Sequence, residues 1–499
     1  MKYVIGIDIG TSAVKMLLVN QKGEVIEEVS NSYPLYQEKA GYSEQEADDW
    51  VEQTISGLRE LMQRFNGNPE DIEGISFSGQ MHGLVLLGEN NAVLRRAILW
   101  NDTRTSKECR EIYDKVGKGR LLEITKNLAL EGFTLPKLLW VKNNEPDIFN
   151  RVKSFVLPKD YVRYKLTGKL HMEYSDAAGT LLLDVENKMW SYEICNLLDI
   201  DRAILPPLIA SHEEVGVISE EVAKATGLSP STKVFAGGAD NACGAIGSGI
   251  LKDGKTLVSI GTSGVVLSFE ESGNKDFGGK VHYFNHAVPH AFYTMGVTLA
   301  AGYSLSWFKN TFAKDTDYEE LLADIDTVPV GSNGLIFTPY IAGERTPHVD
   351  ANIRGSFIGI DSIHERKHFV RALLEGITFS LNESVKIFRE SGKTIDTIVS
   401  IGGGAKNATW LQMQADIFNA KIIKMKSEQG PGMGAAILAA NGCGWFDSIK
   451  DCAEQFLNEA DIYEPIPANV EKYEELFAIY QDVYTKTKAL NNQLMAFRD

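Results

Sequence analysis

The chain has 499 residues, of which 44% are apolar and 23% charged. That is a globular composition, with room for about two to four domains of roughly 150 residues and for cores that need no disulfide or metal staples. Lys and Arg number 50 against 67 Asp and Glu, a formal net charge of −17; such a surface repels phosphate backbones and anionic lipid, so nucleic acid and membrane are excluded as partners.

The opening run Met1-Lys2-Tyr3-Val4-Ile5-Gly6-Ile7 is interrupted by Asp8 and is too short for a signal peptide. Cys109, Cys195, Cys243, Cys443 and Cys452 are scattered with no Cys-x-x-Cys pair, which fits a reducing cytoplasm rather than a disulfide framework. Residues 3–8 read as a β-branched strand, Gly10-Thr11-Ser12 as a turn, and 13–20 and 25–30 as two further strands. A helix over 45–65 follows. Strand 72–78 then runs into Gly79-Gln80-Met81-His82-Gly83, and strands 84–87 and 97–100 lead to Trp100-Asn101-Asp102-Thr103-Arg104. Near 234 a strand ends in Gly237-Gly238-Ala239, just before Asp240-Asn241-Ala242 at a helix start.

The opening pattern then returns: strand 256–260, turn Gly261-Thr262-Ser263-Gly264, strand 265–269. Gly-Thr-Ser stands at the same point of both meanders, which suggests two related domains. Residues 281–308 hold no Asp, Glu, Lys or Arg and are long enough to span a bilayer, but their His, Asn and Pro residues make them a buried strand (291–297) and a helix (299–312). Helices follow over 318–326, 367–391, 410–418, 434–441 and 470–493, and strand 395–401 runs into Gly402-Gly403-Gly404. The fold class is α/β with mixed sheets, because the meanders are antiparallel, and the break near 245–255 gives domains 1–248 and 249–499.

Some matches mislead. Gly249 to Thr256 fits the P-loop pattern, but helix and strand stand in the wrong order around it. His364-Glu365-Arg366-Lys367-His368 fits a zinc-peptidase motif, yet reads as the solvated first turn of a helix. His282, His286 and His290 read as strand and turn histidines, since Pro289 argues against a helix.

Chemistry gathers elsewhere. The two Gly-Thr-Ser turns offer hydroxyls and amides to phosphates, and Gly402-Gly403-Gly404-Ala405-Lys406-Asn407 is either a plain turn or a close-approach loop for a nucleotide. Asp8, ending the first strand, suits a water-bridged Mg²⁺. Asp240 is either a helix N-cap or, with Gly237-Gly238 leaving room for a hydroxyl, a base.

Together with Gly132-Phe133-Thr134-Leu135-Pro136-Lys137-Leu138-Leu139-Trp140, and with residues 355–360 followed by 368–375, these loops make the chain resemble, nearly end to end, the FGGY carbohydrate kinases. The resemblance implies two ribonuclease H-like domains of the actin and hexokinase superfamily, with mixed sheets flanked by helices and an active site in the interdomain cleft. It implies ATP and Mg²⁺ as cofactors, Asp240 as base and, with Asp8, near the metal, and a cleft that closes on its substrates. Thr11, Ser12, Gly261, Thr262 and Ser263 would hold phosphates. Gly402, Gly403, Gly404, Ala405 and Asn407 would hold the nucleoside. Lys15 would sit near the transferred phosphoryl, or else be a solvent-facing strand lysine.

Gln80 to Gly83 and Trp100 to Arg104 resemble most the members acting on D-xylulose, with ribulose, gluconate or glycerol as alternatives; Asp240-Asn241-Ala242 and Gly343-Glu344-Arg345-Thr346-Pro347-His348 agree. Sugar contacts would then come from Gln80, Met81, His82, Trp100, Asn101, Asp102 and Asn241. Met81 could equally be core, Asp102 a helix cap, and Arg104 the partner of a carboxylate. The resemblance also implies a cytoplasmic protein; family relatives are often dimers, so a homodimer is expected by analogy alone. Ala239 departs from the family, where a third glycine is common. Because the chain is acidic overall, attraction for ATP must be local to these loops.

Overall fold

A computed structural model describes residues 1–426 and 429–498. Tyr3–Ile9 (β1), Ala13–Asn20 (β2) and Val25–Ser32 (β3) form the first meander, and β1 pairs in parallel with Ile72–Gly79 (β4). Glu214–Val217 (β5) and Lys233–Phe235 (β6) complete the order β5-β6-β4-β1-β2-β3, with Gly238–Ala239 also paired to β4. The second sheet contains Gly254–Ile260 (β7), Gly264–Glu270 (β8), His282–Asn285 (β9), Phe292–Thr298 (β10), Ile395–Gly402 (β11), Lys421–Met425 (β12) and Glu459–Tyr463 (β13). Its order is β9-β10-β8-β7-β11-β12-β13.

The two sheets repeat one plan. An antiparallel meander (β3-β2-β1, β10-β8-β7) continues through parallel strands (β4-β6, β11-β12) to an antiparallel edge (β5, β13). The helices repeat with it. Ala47–Arg64 (α1) precedes β4, Asp240–Gly247 (α2) follows β6, Arg366–Glu390 (α3) precedes β11, and Gly430–Gly442 (α4) follows β12. The central strands are covered on both faces, so β1 reads as a nearly continuous apolar run, with Val4, Ile5, Ile7 and Ile9 fully buried. Each such side chain contributes about 1.5–3 kcal/mol on burial. On α1 the buried stripe Trp50, Thr54, Leu58, Leu61 keeps the helical spacing.

The helix α4 comes from the second half of the chain but lies on β1 and β4 of the first sheet and against α2. The approach is backbone to backbone: a Cβ on Gly434 would fall 1.9 Å from the Cys243 carbonyl oxygen. Its start at Gly430 is earlier than the sequence predicts. Pro431 suits a first helical turn, where its missing N–H has no partner to lose, so Gly-Pro-Gly is helix here and not a turn.

Helix 318–326 is cut short to Tyr318–Leu322, followed by a separate 3₁₀ turn. The charge-free stretch forms β9, β10 and the first turns of the helix Gly302–Phe312, and among the described residues no helix is long and apolar enough to cross a membrane. Glu365 caps α3: its side chain takes a first-turn amide and His368 Nδ1 accepts the Glu365 amide at 3.0 Å, so the zinc-like motif is a capping box. Residues 249–256 join α2 to β7 as a helix-to-strand connection.

Between β4 and β6 lie residues 80–232, whereas β11 and β12 are joined through the helix Ala408–Phe418. This long insertion carries most of the residues with which the sequence predicts sugar contacts.

Candidate active site

After β6 the chain must turn back under β4. Gly237 does this at φ +83°, where an added Cβ would lie 2.2 Å from the Phe77 carbonyl oxygen. The short strand Gly238–Ala239 follows, and Ala239 takes the N-cap position of α2. Asp240 is therefore the first helical residue and not the cap. Its Oδ1 accepts the Asn241 amide at 2.7 Å and Asn241 Nδ2 at 3.0 Å. Burial and then the Asp8 charge push the Asp240 carboxyl up to about 7. Asp8, in β1, has a buried Oδ1 with no hydrogen-bond partner, and burial raises its carboxyl as well.

The loop after β4 divides its residues between two tasks. Met81 is buried, and its sulfur receives Asn241 Nδ2 at 3.6 Å and the Tyr293 hydroxyl at 3.7 Å. His82 sits at φ +67°, with Nδ1 2.7 Å from the Gly179 carbonyl oxygen. A carbonyl only accepts, so Nδ1 carries the proton. Burial, then Lys137, pushes the ring down to about 3, so it is neutral and its Nε2 is an acceptor. Lys137 Nζ and Thr134 Oγ1 hold the His82 carbonyl at 2.9 and 3.1 Å. Gln80 turns the other way. Its side chain meets Gln45 at 3.1 Å and accepts from Thr11 Oγ1 at 3.3 Å, bracing the first Gly-Thr-Ser turn.

Trp100 also reaches that turn, with Nε1 2.9 Å from Thr11 Oγ1 and 46% of its surface exposed. Asn101 borders the loop of residues 37–42, and its buried Oδ1 has no partner. Asp102 is fully buried, and both its oxygens are occupied: Oδ2 accepts from Ser43 N at 2.7 Å and Arg104 Nη2 at 2.6 Å, and Oδ1 from Arg104 Nε at 2.9 Å. The next helix starts at Ser106, so Asp102 caps nothing; Arg104 is the carboxylate's partner. The structure thus gathers Met81, His82, Asn241 and Asp240, sets Gln80 and Trp100 on the first Gly-Thr-Ser turn, and leaves Asn101 and Asp102 behind them.

Ser12, Gly261, Thr262 and Ser263 lie exposed at the two hairpin tips, with Thr11 half-buried. Lys15 of β2 pairs with Glu28 of β3 at 3.1 Å and donates to Gln429 Oε1 at 2.7 Å. Beside the second hairpin opens a cleft of about 950 Å³, lined by Thr262, Tyr303, Tyr318, Gly403, Gly404 and Asn407 among others. Gly402 enters this loop at φ +81°, Gly403–Ala405 form a 3₁₀ turn, and Asn407 caps the helix Ala408–Phe418 by accepting the Trp410 amide at 2.9 Å. Ala405 is fully buried behind the turn.

Sequence reasoning missed Tyr293, Lys137, Tyr303 and Tyr318. The first and third lie in the charge-free stretch, where a hydroxyl-bearing ring was the available signal; Lys137 lies on the buried face of the helix Thr134–Asn144, between Leu135-Pro136 and Leu138-Leu139. His282, read as an ordinary strand histidine, stacks on Phe284 at 5.7 Å, and Phe284 in turn packs against His82 at 6.0 Å.

A duplicated mixed-sheet fold, with a raised carboxyl at a helix start on one side and glycine loops around an open cleft on the other, is the arrangement of a phosphoryl-transfer enzyme. The FGGY family of carbohydrate kinases matches over both halves, its N-terminal domain at residues 3–247 and its C-terminal domain at 256–443, and the chain belongs to that family. The xylulose kinase of Bacillus subtilis (strain 168) is 62% identical over 100% of both chains. Two solved structures from Lactobacillus acidophilus share the fold at a TM-score of 0.94 and 29% identity. One is a ligand-bound xylulose kinase covering 99% of this chain and 100% of its own, the other a gluconate kinase covering 99% of each.

Proposed function

We propose that the chain transfers the γ-phosphoryl group of ATP to D-xylulose, giving ADP and D-xylulose 5-phosphate. The observation that carries this is the grouping of Asp240 with Asn241, Met81 and a neutral His82, beside a long-chain relative that is named a xylulose kinase. The C5 hydroxyl gives its proton to Asp240 as its oxygen attacks the γ-phosphorus, and the bond to the β-phosphate oxygen breaks. A carboxyl near 7 is a competent base around neutral pH, although alignment contributes more than the base in this chemistry. With both Nδ2 hydrogens of Asn241 engaged by Asp240 and Met81, Asn241 Oδ1 and His82 Nε2 offer acceptors to sugar hydroxyls. Thr11 and Ser12 from one half, and Gly261, Thr262 and Ser263 from the other, take the phosphates, while Gly402 to Ala405 and Asn407 frame the nucleoside.

Two neighbouring carboxyls, one with an orphaned oxygen, fit a divalent cation. Asp8 and Asp240 would hold Mg²⁺, which when bound neutralises phosphate charge. Lys15 adds a positive charge on the same strand pair as Asp8.

The sugar is the point at issue, since a xylulose kinase and a gluconate kinase share the fold equally well. ADP release measured over D-xylulose, D-ribulose, gluconate and glycerol decides it. D-xylulose is expected to give the highest kcat/KM, and faster turnover of another member of the panel would replace it.

A further inference from the structure

The short helix Tyr174–Ala178 touches both halves of the sugar-side machinery, one with each end. At its start, Ser175 Oγ donates to Glu173 Oε1 at 2.6 Å, which leaves a lone pair for the Ala239 amide at 2.9 Å, directly before Asp240. At its end, the Gly179 carbonyl takes the His82 ring proton at 2.7 Å. The helix is itself anchored by charge. Glu173 caps it through the Ser175 and Asp176 amides at 2.8 and 2.7 Å, and Lys159 Nζ lies 2.7 Å from Asp176 and 3.2 Å from Glu173, all of them fully buried. Arg163, paired with Asp160 at 2.7 Å, holds the Ala236 carbonyl at 2.6 Å on the strand side of the same turn. A buried ionic group of this kind is weak evidence for stability, because its desolvation offsets most of its attraction. What it does fix is geometry.

We propose that this helix is a bracket setting the catalytic base and the sugar-binding histidine relative to each other, with Ser175 the positioning residue for Asp240 and Gly179 that for His82. The proposal rests on the reading of the site given above. It makes the two ends separable. Loss of the Ser175 acceptor frees the peptide that carries Asp240, which costs alignment in the reaction but no sugar contact. A Cβ on Gly179 would lie 2.9 Å from His82 Nδ1 and displace the ring, which costs a sugar contact but leaves the base in place.

The test measures kcat by ADP release and the D-xylulose Kd by calorimetry for Ser175→Ala and Gly179→Ala, with thermal melts of both. Misplacement at the reacting centre of up to 1 Å predicts a kcat loss of about tenfold to a hundredfold in Ser175→Ala, with Kd within about threefold. Gly179→Ala is expected to raise Kd about tenfold while kcat at saturation stays within about threefold, the size of one lost hydrogen bond. Ser175→Thr, which keeps the hydroxyl, should restore kcat, and Ser175→Cys gives the same test should the alanine variant not fold. Parallel changes in kcat and Kd in both variants, or a lowered melting temperature with neither parameter split, would overturn the bracket. If the wild type turns over another sugar instead, the functional reading fails, and the same split is then read with that sugar.

Discussion

The two hairpins that open the sheets share Gly-Thr-Ser but keep different company. At the first, Thr11 Oγ1 meets Trp100 and Gln80, Gln45 Nε2 holds the Thr11 carbonyl at 2.7 Å, and the Tyr33 hydroxyl donates to the Gly10 carbonyl. At the second, the amides of Gly302 and Tyr303 hold the Gly261 and Thr262 carbonyls at 2.8 and 3.0 Å, and the exposed tip borders a cleft of about 950 Å³. One wall is built from directed side-chain bonds and the other from backbone and open volume. In the proposed function the first wall also carries the sugar-side loop after β4, and sugar hydroxyls, which differ from one another only in direction, need fixed partners; the second would frame a nucleotide, whose flat ring and charged chain ask only for clearance and amide dipoles.

The strongest way to break this contrast is at Asp240. Asp240→Asn is expected to lower kcat by about a thousandfold, within the range general bases supply, while ATP affinity stays within about threefold. The same substitution should stabilise the fold above neutral pH. The native carboxyl near 7 lies above its unfolded value near 3.8, so between these two the folded state holds a proton that the unfolded chain has lost, and stability falls as pH rises through that window. Asn removes that loss, so its melting temperature should exceed the wild type's at pH 8 and match it at pH 4. In the wild type, kcat/KM should rise with pH through about 7. Because the Asp8 charge is one cause of the raised value, Asp8→Asn should move this limb to lower pH even as it slows turnover; an unmoved limb would mean that another group sets it.

A smaller effect belongs to the open wall. A Cβ on Gly402, at φ +81°, would lie 2.7 Å from the Ile260 carbonyl oxygen, but on Gly403 it would lie 3.4 Å away. Gly402→Ala should raise the ATP KM about tenfold through backbone strain, and Gly403→Ala by much less, with the sugar KM unchanged in both. An equal rise in the sugar KM would show that the two walls are not separate.

How far the sequence reaches follows the same division. The repeated strand-turn-strand pattern foretold the duplicated sheets, because alternation and turn residues are local signals. The parallel joining of β1 to β4 and of β7 to β11 was not local, and neither was the return of α4 onto the first sheet. Asp240 was legible because Gly237-Gly238 marks its turn. Asp102 looked like a sugar ligand beside Trp100, yet Arg104, two residues on, takes its carboxylate into a buried pair that a list of polar residues does not distinguish from an open one. Tyr293 reaches Met81 only because β10 of the second half meets the first-half loop, a contact across 212 positions of sequence.

The smallest effect tests Ala239, where the resemblance leads one to expect a third glycine. A methyl there could have crowded the base. Instead it is fully buried in the same core cluster as Ala242 and Cys243, while Asp240 is held by Asn241. Ala239→Gly should therefore leave kcat within about twofold and cost about 0.5–1 kcal/mol of stability from the added freedom of the unfolded chain, read from denaturant melts. The Ala239 amide keeps its bond to Ser175 in that variant, so only the stiffness of the chain changes. A tenfold fall in kcat would mean that stiffness, and not the hydrogen bond, aims the carboxylate.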